Sequence, residues 1–194
     1  MPRLMNRAGI LVVTGASGAG KTAAVERLQS RGRPGIRCHF IDRVGVPSVE
    51  VMTRDFAGPE GWQAHITERW IERLVAETDR SVVVNVLDAQ TRPSVVQAAL
   101  ARVDAPVTQV ILLTCSPAVR RRRLAKRGQS LLATARMERW AAYLLGQADA
   151  LKLRVIETSD LSIDAIADAL EAEIEALTRS ARSDRRIGPS ATRH

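Results

Sequence analysis

The chain predicts an α/β fold: a three-layer α/β/α sandwich on a five-stranded parallel sheet. Three observations carry that expectation. Five short apolar runs are spread along the 194 residues. Between them lie stretches whose apolar residues recur with helical rather than alternating period. The first run also passes through a glycine-rich junction straight into a helical pattern, as a strand–turn–helix unit does.

The first run, "ILVVT" (10–14), is continuous and partly β-branched, which suits a strand buried on both faces. It leads into "TGASGAGKTAAVERL" (14–28), where Val25 and Leu28 sit three apart on the following helix. The second strand is "IRCHFID" (36–42), and Ile66, Trp70, Ile71 and Leu74 then form a helical stripe that assigns Trp70 to packing. The third, "SVVVNVLD" (81–88), carries the amide of Asn85 inside an apolar run, and a buried amide needs a partner. The fourth is "VTQVILLT" (107–114), followed by Ser116-Pro117, an N-cap and a proline for the first turn of a helix. Met137, Trp140, Ala141, Leu144, Leu145 and Ala148 give the next helix its apolar face. The fifth strand, "LRVIET" (153–158), precedes a last helix with Ile163, Ile166, Ala167, Leu170 and Ile174 on one side. Alternating strands and helices mean parallel βαβ units, here one domain over residues 1–177 without internal repeats. From Thr178 the apolar period stops, and residues 178–194, with Gly188-Pro189, are expected to be a basic, disordered tail.

Composition limits the function classes. No apolar stretch approaches the roughly 20 residues of a membrane helix, and the basic-then-apolar start runs into the glycine loop rather than a cleavage site. Two cysteines far apart, Cys38 and Cys115, read as buried thiols in a reducing, cytoplasmic setting. The formal charge is +8, but residues 178–194 hold five arginines against one aspartate, so about half the excess sits in the tail. A solvated surface with a frayed end accounts for it better than a nucleic-acid face, and a membrane partner is not expected.

The segment Gly15-Ala16-Ser17-Gly18-Ala19-Gly20-Lys21-Thr22 matches G-x-x-x-x-G-K-[ST], with a strand before it and a helix after it. Small side chains let the loop curl so that its N–H groups converge on a diphosphate. The helix N-terminus adds its positive end. Lys21 then reaches the transferring phosphate, and the Thr22 hydroxyl is a ligand for Mg²⁺. A turn that merely joined strand to helix would not need this eight-residue register. The sequence therefore predicts nucleotide binding, with ATP and Mg²⁺ as cofactors.

On this loop the chain resembles the small P-loop kinases: the nucleoside monophosphate kinase group with its gluconate, shikimate and adenylylsulfate kinase relatives. The likeness in element order covers residues 8 to 177, and it implies a strand order of 2-3-1-4-5. In open parallel sheets ligands collect at the carboxyl ends of the strands, which selects Asp42 and Asp88. The resemblance implies that Asp88 is the Walker B acid that holds Mg²⁺ with Thr22. It implies too that Asp42 faces the acceptor, where it would take a hydroxyl proton. A turn-forming aspartate before Arg43 and Gly45 remains an equal reading of Asp42.

Residues 43–77 would set acceptor specificity, with Arg43, Arg54, Trp62, His65 and Arg69 as lining candidates. Trp62 is the more exposed tryptophan by context and His65 a surface histidine. Gln90 and Arg92, just past Asp88, project from the same end as acceptor contacts. In "SPAVRRRRLAKRGQSLL" (116–132), Arg120, Arg123 and Arg127 share one helical face. The R-L-x-x-R pattern resembles the kinase lid (about 120–133), whose arginines fold over the phosphates, with Gly128 as the hinge. Arg123 and Arg127 are the expected catalytic arginines beside Lys21. Which of Arg120–Arg123 faces inward stays open. The expected activity is transfer of the γ-phosphate of ATP to a small-molecule acceptor. The alternatives are a nucleotide-binding regulatory or accessory ATPase and, on charge alone, a polynucleotide 5′-kinase.

Overall fold

A computed structural model of the chain describes residues 8–41, 45–77, 79–103 and 107–186, with side chains as far as Arg179. Its centre is β1 (Gly9–Thr14), buried at every position. β1 pairs in parallel with β3 (Val84–Asp88) on one side and β4 (Thr108–Thr114) on the other. β2 (Ile36–Phe40) and β5 (Arg154–Glu157) close the two edges, which gives the order β2-β3-β1-β4-β5. The order inferred from the loop's family is the one observed.

Among the described residues seven α-helices surround the sheet: α1 (Lys21–Ser30), α2 (Val49–Phe56), α3 (Pro59–Val75), α4 (Pro93–Arg102), α5 (Pro117–Lys126), α6 (Ala135–Ala150) and α7 (Ile163–Arg186). One face packs on α1 and α7 through Leu11, Val13, Val86, Ile111, Val25, Leu28, Ile166 and Leu170. The other packs on α3 and α4 through Ile10, Val12, Leu87, Ile71, Leu74 and Val96. α6 adds a smaller cluster of Ala141, Leu144 and Ala148 against Leu112 and Ala16 of the glycine loop. Each fully buried Leu or Ile on these faces contributes roughly 1.5–3 kcal/mol by leaving water.

The expected stripe on α6 is narrower than its sequence suggests. Leu145 is 41% exposed, since the helix leans only its Ala141–Leu144–Ala148 edge on the sheet. Ser116 caps α5 as expected, its hydroxyl accepting from the Val119 N–H. α7 runs to Arg186, past Thr178 where the tail was expected to begin; residues 187–194 lie outside the described ones. Along its solvent-facing edge, Arg27, Arg31 and Arg33 pair with Asp164, Asp168 and Glu171.

Asn85 has found a partner. Its Oδ1 lies 2.8 Å from His39 Nε2 on the neighbouring strand, beneath α3, while its amide nitrogen is buried without one. The His39 ring leans on Trp70 at 5.4 Å, so Trp70 packs against the sheet as expected. Among the described residues no helix is long and apolar enough to cross a membrane.

Candidate active site

Register brings the ends of the three central strands together. Val13 stands opposite Asp88, and Thr14 opposite Leu112. The chain can leave β1 toward α1 only by folding tightly over β4. Gly15, at φ +146°, lies where a Cβ would run into the Leu113 carbonyl. Gly18 (φ +83°) packs on the Arg120 side chain, where a Cβ would come within 2.9 Å. Gly20 (φ +98°) is the N-cap of α1. Each needs the left-handed region that side chains avoid. No acidic residue occupies the first turn of α1, so the positive end of the helix dipole faces the loop unneutralised.

Lys21 is 5% exposed and bends back across the loop, its Nζ donating to the Gly15 carbonyl at 2.7 Å and to Ala16 at 3.4 Å. Thr22 Oγ1 donates to Asp88 Oδ2 at 2.6 Å. The two residues that sequence reasoning paired on a metal therefore meet, across 66 positions of chain. A hydroxyl beside a carboxylate is a hard oxygen pair, the donor set Mg²⁺ takes alongside phosphate oxygens and water. Among the described residues no group of three or more His, Cys, Asp or Glu could hold a metal alone. Ala89 sends its methyl into the α3–α4 core and its N–H to the Val13 carbonyl.

The arginines of α5 divide by depth. Arg120 is 2% exposed. Its guanidinium donates to the Ser17 carbonyl (3.3 Å), the Cys115 carbonyl (3.0 Å) and Glu138 Oε2 of α6 (3.2 Å). Arg123 donates to the Ala19 carbonyl (3.3 Å), to Thr158 Oγ1 (2.9 Å) and to the Thr158 carbonyl (2.6 Å). Arg127 is exposed at the C-cap of α5, and Gly128 follows at φ +70° with open space around it. The loop beyond carries Leu131, 93% exposed.

Sequence reasoning placed Arg120 on the right face but did not see it as the group that clamps the loop. The sequence carries no sign of the parts played by Glu138, the Cys115 carbonyl and the hydroxyl of Thr158, which lies 2.9 Å from the Ala19 and Thr114 carbonyls. The available signal was the spacing of Arg120 and Arg123, which turns both toward β4. Burial pushes the Cys38 thiol up to about 11 and raises that of Cys115 too, so both stay protonated and free.

At the turn that follows β3, a cavity of about 120 Å³ opens between α2, α3 and Gln90–Thr91. Its walls are Ile41, Val46, Met52, Pro59, Trp62 and Ile66, with Gln63, Thr67, Gln90 and Thr91. The Thr91 carbonyl accepts from Thr14 Oγ1 at 2.6 Å, which ties this wall to the glycine loop. Gln90 and Trp62 are thus brought to the cavity. Arg54 is not; it lies on the surface paired with Asp55, at 2.7 Å. His65 and Arg69 are exposed. Arg92 pairs with Glu60 and faces a cleft shared with Arg136, Arg139, Trp140 and Tyr143. Asp42 and Arg43 lie outside the described residues, between Ile41 and Gly45 of the cavity wall.

A parallel sheet in this order, with a phosphate loop after its central strand, defines the P-loop kinase fold. The chain belongs to the AAA-domain family (AAA_18), whose model matches residues 11–140. Comparison with curated protein sequences finds no match. Among solved structures, the chain is similar to a tunicamycin resistance protein from Deinococcus radiodurans at 15% identity, with TM-score 0.60 and coverage of 87% of this chain and 96% of that one. It is similar to shikimate kinase from Acinetobacter baumannii at 17% identity, with TM-score 0.56 and coverage of 91% and 96%. A gluconokinase from Sinorhizobium meliloti 1021 is 17% identical, with TM-score 0.54 and coverage of 96% and 100%. At these identities the likeness establishes the P-loop kinase-like fold, and the family model places the chain among the AAA domains.

Proposed function

We propose that the protein is an ATP-dependent kinase that moves the γ-phosphate to a small-molecule acceptor, in a cytoplasmic setting that keeps its two thiols reduced. The observation that carries this reading is the 2.6 Å contact of Thr22 Oγ1 with Asp88 Oδ2, at the mouth of the loop and one turn of chain from an acceptor-sized cavity. The loop amides from Ala16 to Thr22 and the start of α1 cradle the phosphate chain. Lys21 exchanges its loop carbonyls for phosphate oxygens. Thr22 and Asp88 would hold Mg²⁺, which would supply neutralisation of the phosphate charge.

Arg123 steadies the loop from the side where the nucleotide base lies, next to Thr158. Arg127, free at the end of α5, swings with Gly128 to cover the γ-phosphate and exclude water, which otherwise drains ATP by hydrolysis. Asp42 accepts the proton of the attacking hydroxyl, and Gln90 orients the acceptor. Arg92, paired with Glu60, faces the neighbouring cleft.

The test is ATP consumption across a panel of hydroxylated acceptors. One or more should raise turnover well above the acceptor-free rate, and Lys21→Ala should abolish it, by ~10³-fold or more. Slow ATP loss that no acceptor alters would overturn the kinase reading and favour an accessory ATPase. Arg127→Ala should lower kcat by about 10²–10³ with nucleotide affinity little changed.

A further inference from the structure

The glycines that let the loop curl also leave its peptide planes free to turn over. Gly18 (φ +83°) and Gly20 (φ +98°) lack the side chain that would otherwise settle which way the neighbouring planes face. In a trans peptide the C=O and the following N–H point in opposite directions. A plane turned over at 17–18 or 19–20 would therefore aim a carbonyl oxygen, rather than an N–H, at a bound phosphate. Phosphate binding needs something that holds those carbonyls back.

Three consecutive carbonyls are held from behind by α5. That of Ser17 accepts from Arg120 Nη1 at 3.3 Å, and those of Gly18 and Ala19 accept from Arg123 Nη1 at 3.4 and 3.3 Å. The Thr158 hydroxyl lies 2.9 Å from the Ala19 carbonyl, and the Cys115 thiol 3.6 Å from that of Gly18. The Ala19 N–H is used within the loop, on the Ala16 carbonyl at 3.2 Å. The N–H groups of Gly18 and Gly20 take no partner among the described residues, so they stay available to an anion. Between the two clamping arginines, Arg121 and Arg122 are exposed.

Arg120 is itself held, by Glu138 at the start of α6. Glu138 Oε2 accepts from Arg120 Nε at 3.2 Å, while its Oε1 is buried without a hydrogen-bond partner. A carboxylate oxygen taken out of water and left unpaired works against stability. The pair is thus a poor choice for stabilising a fold and a good one for fixing a direction. With Nε anchored, the other arms of the guanidinium are set on the Ser17 and Cys115 carbonyls.

We propose that Arg120 and Arg123 are positioning residues for phosphate binding, an inference that rests on the nucleotide-binding part of the kinase reading. They hold the Ser17, Gly18 and Ala19 carbonyls away from the nucleotide and so aim the Gly18 and Gly20 N–H groups at it. Glu138 keeps Arg120 in that pose. None of the three touches the phosphates, whereas the sequence resemblance implied that Arg123 folds over them.

The probe is inorganic tripolyphosphate, titrated into the full chain by calorimetry well below each variant's unfolding midpoint, so that only folded protein is read. Arg120→Lys and Arg123→Lys keep the charge but replace a planar fork by a single ammonium. Each should bind the probe at least ~tenfold more weakly than the wild type. Arg122→Ala, which removes a charge outright from the exposed side of α5, should stay within about twofold. Glu138→Gln should also weaken binding, and should add nothing to Arg120→Lys in the double variant. In amide NMR spectra the probe should displace the Gly18 and Gly20 N–H signals of the wild type, and displace them less in the lysine variants. Lysine variants that bind as tightly as the wild type overturn the proposal, since charge alone would then serve. So does a Glu138→Gln loss that adds in full to that of Arg120→Lys. A wild type that takes up neither tripolyphosphate nor an ATP analogue overturns nucleotide binding, and the kinase reading with it. Normal binding by wild type and variants alike sinks the positioning role alone.

Discussion

The glycine loop and the acceptor region sit side by side at one end of the sheet, yet they are held in different ways. The loop is fixed by backbone. Gly15 folds against the Leu113 carbonyl, Lys21 closes on the loop's own carbonyls, and the buried guanidinium of Arg120 ties Ser17 to Cys115 and to α6. The acceptor region is fixed by side chains. There, α2 and α3 meet through the Phe56–Trp62–His65 stack, and Gly58 between them has no neighbour within 4 Å of where a Cβ would sit. A phosphate is the same in every nucleotide, so the group that grips it can be built once and locked. An acceptor differs from enzyme to enzyme, and a wall of exchangeable side chains accommodates that.

The largest effect should come from breaking the locked half at its tightest point. Gly15→Ala places a methyl against backbone that cannot move without opening the β1–β4 pair. A loss of ~4 kcal/mol or more in unfolding free energy is expected, readable by urea denaturation. Arg120→Ala comes next. It strips Glu138 of its cation and leaves the Ser17 and Cys115 carbonyls without their donor, for about 3 kcal/mol. Arg127→Ala, immediately after Lys126 and exposed, should leave stability within ~0.5 kcal/mol. If Arg120 and Arg127 prove equally dispensable for stability, the division between a clamp and a lid fails.

The locked half was the legible half. A loop that needs glycine at φ +146°, +83° and +98° can be made from few residues, so eight positions announce it. Buried parallel strands likewise read directly as apolar runs, and the strand order followed from the family the loop belongs to. The acceptor region left no such trace. Trp62 faces the cavity because Phe56 props it, and Phe56 is six residues away on another helix. Arg54 and Arg92 read as ligand groups in the sequence, but the fold gave each a carboxylate, Asp55 and Glu60. Pairing between distant side chains has no period, so the sequence could propose Arg92 without showing its Glu60 partner; the partner of Arg54, Asp55, is simply the next residue. Asn85 was visible as an amide needing a partner; that the partner was His39 depended on register between β2 and β3.

The comparison can be sharpened at matched glycines. Gly58→Ala also forces a side chain into a disfavoured region, at φ +106°, but into open space. Only the strain of a backbone region essentially restricted to glycine remains, about 1–3 kcal/mol. Thermal unfolding should therefore show a shift of a few degrees, against outright loss for Gly15→Ala. A Gly58 variant as damaged as the Gly15 one would mean that the α2–α3 joint is held as rigidly as the loop.

The smallest effect expected is one of pH, and it belongs to the acceptor half alone. His39 lies under α3 against Trp70 and Asn85, with Arg37, Arg73 and Glu77 around it. Burial lowers its pKa from the ordinary 6.5, the Asn85 hydrogen bond opposes this, and the nearby arginines reinforce it. The folded chain therefore binds fewer protons at this site than the unfolded chain does just below pH 6.5. Stability must then rise with pH through that window and fall as acid is added, until His39 itself takes a proton in the folded state. His39→Gln keeps a hydrogen-bonding group beside Asn85 but removes the titration. Its unfolding free energy should depend less on pH between about 5 and 7 than that of the wild type, measured by urea denaturation at a series of pH values. Since α3 carries Trp62 and Ile66, acid should also loosen the acceptor wall before it touches the glycine loop, which has no histidine near it among the described residues. A pH slope that survives the substitution unchanged would place the titrating group elsewhere and remove this difference between the two halves.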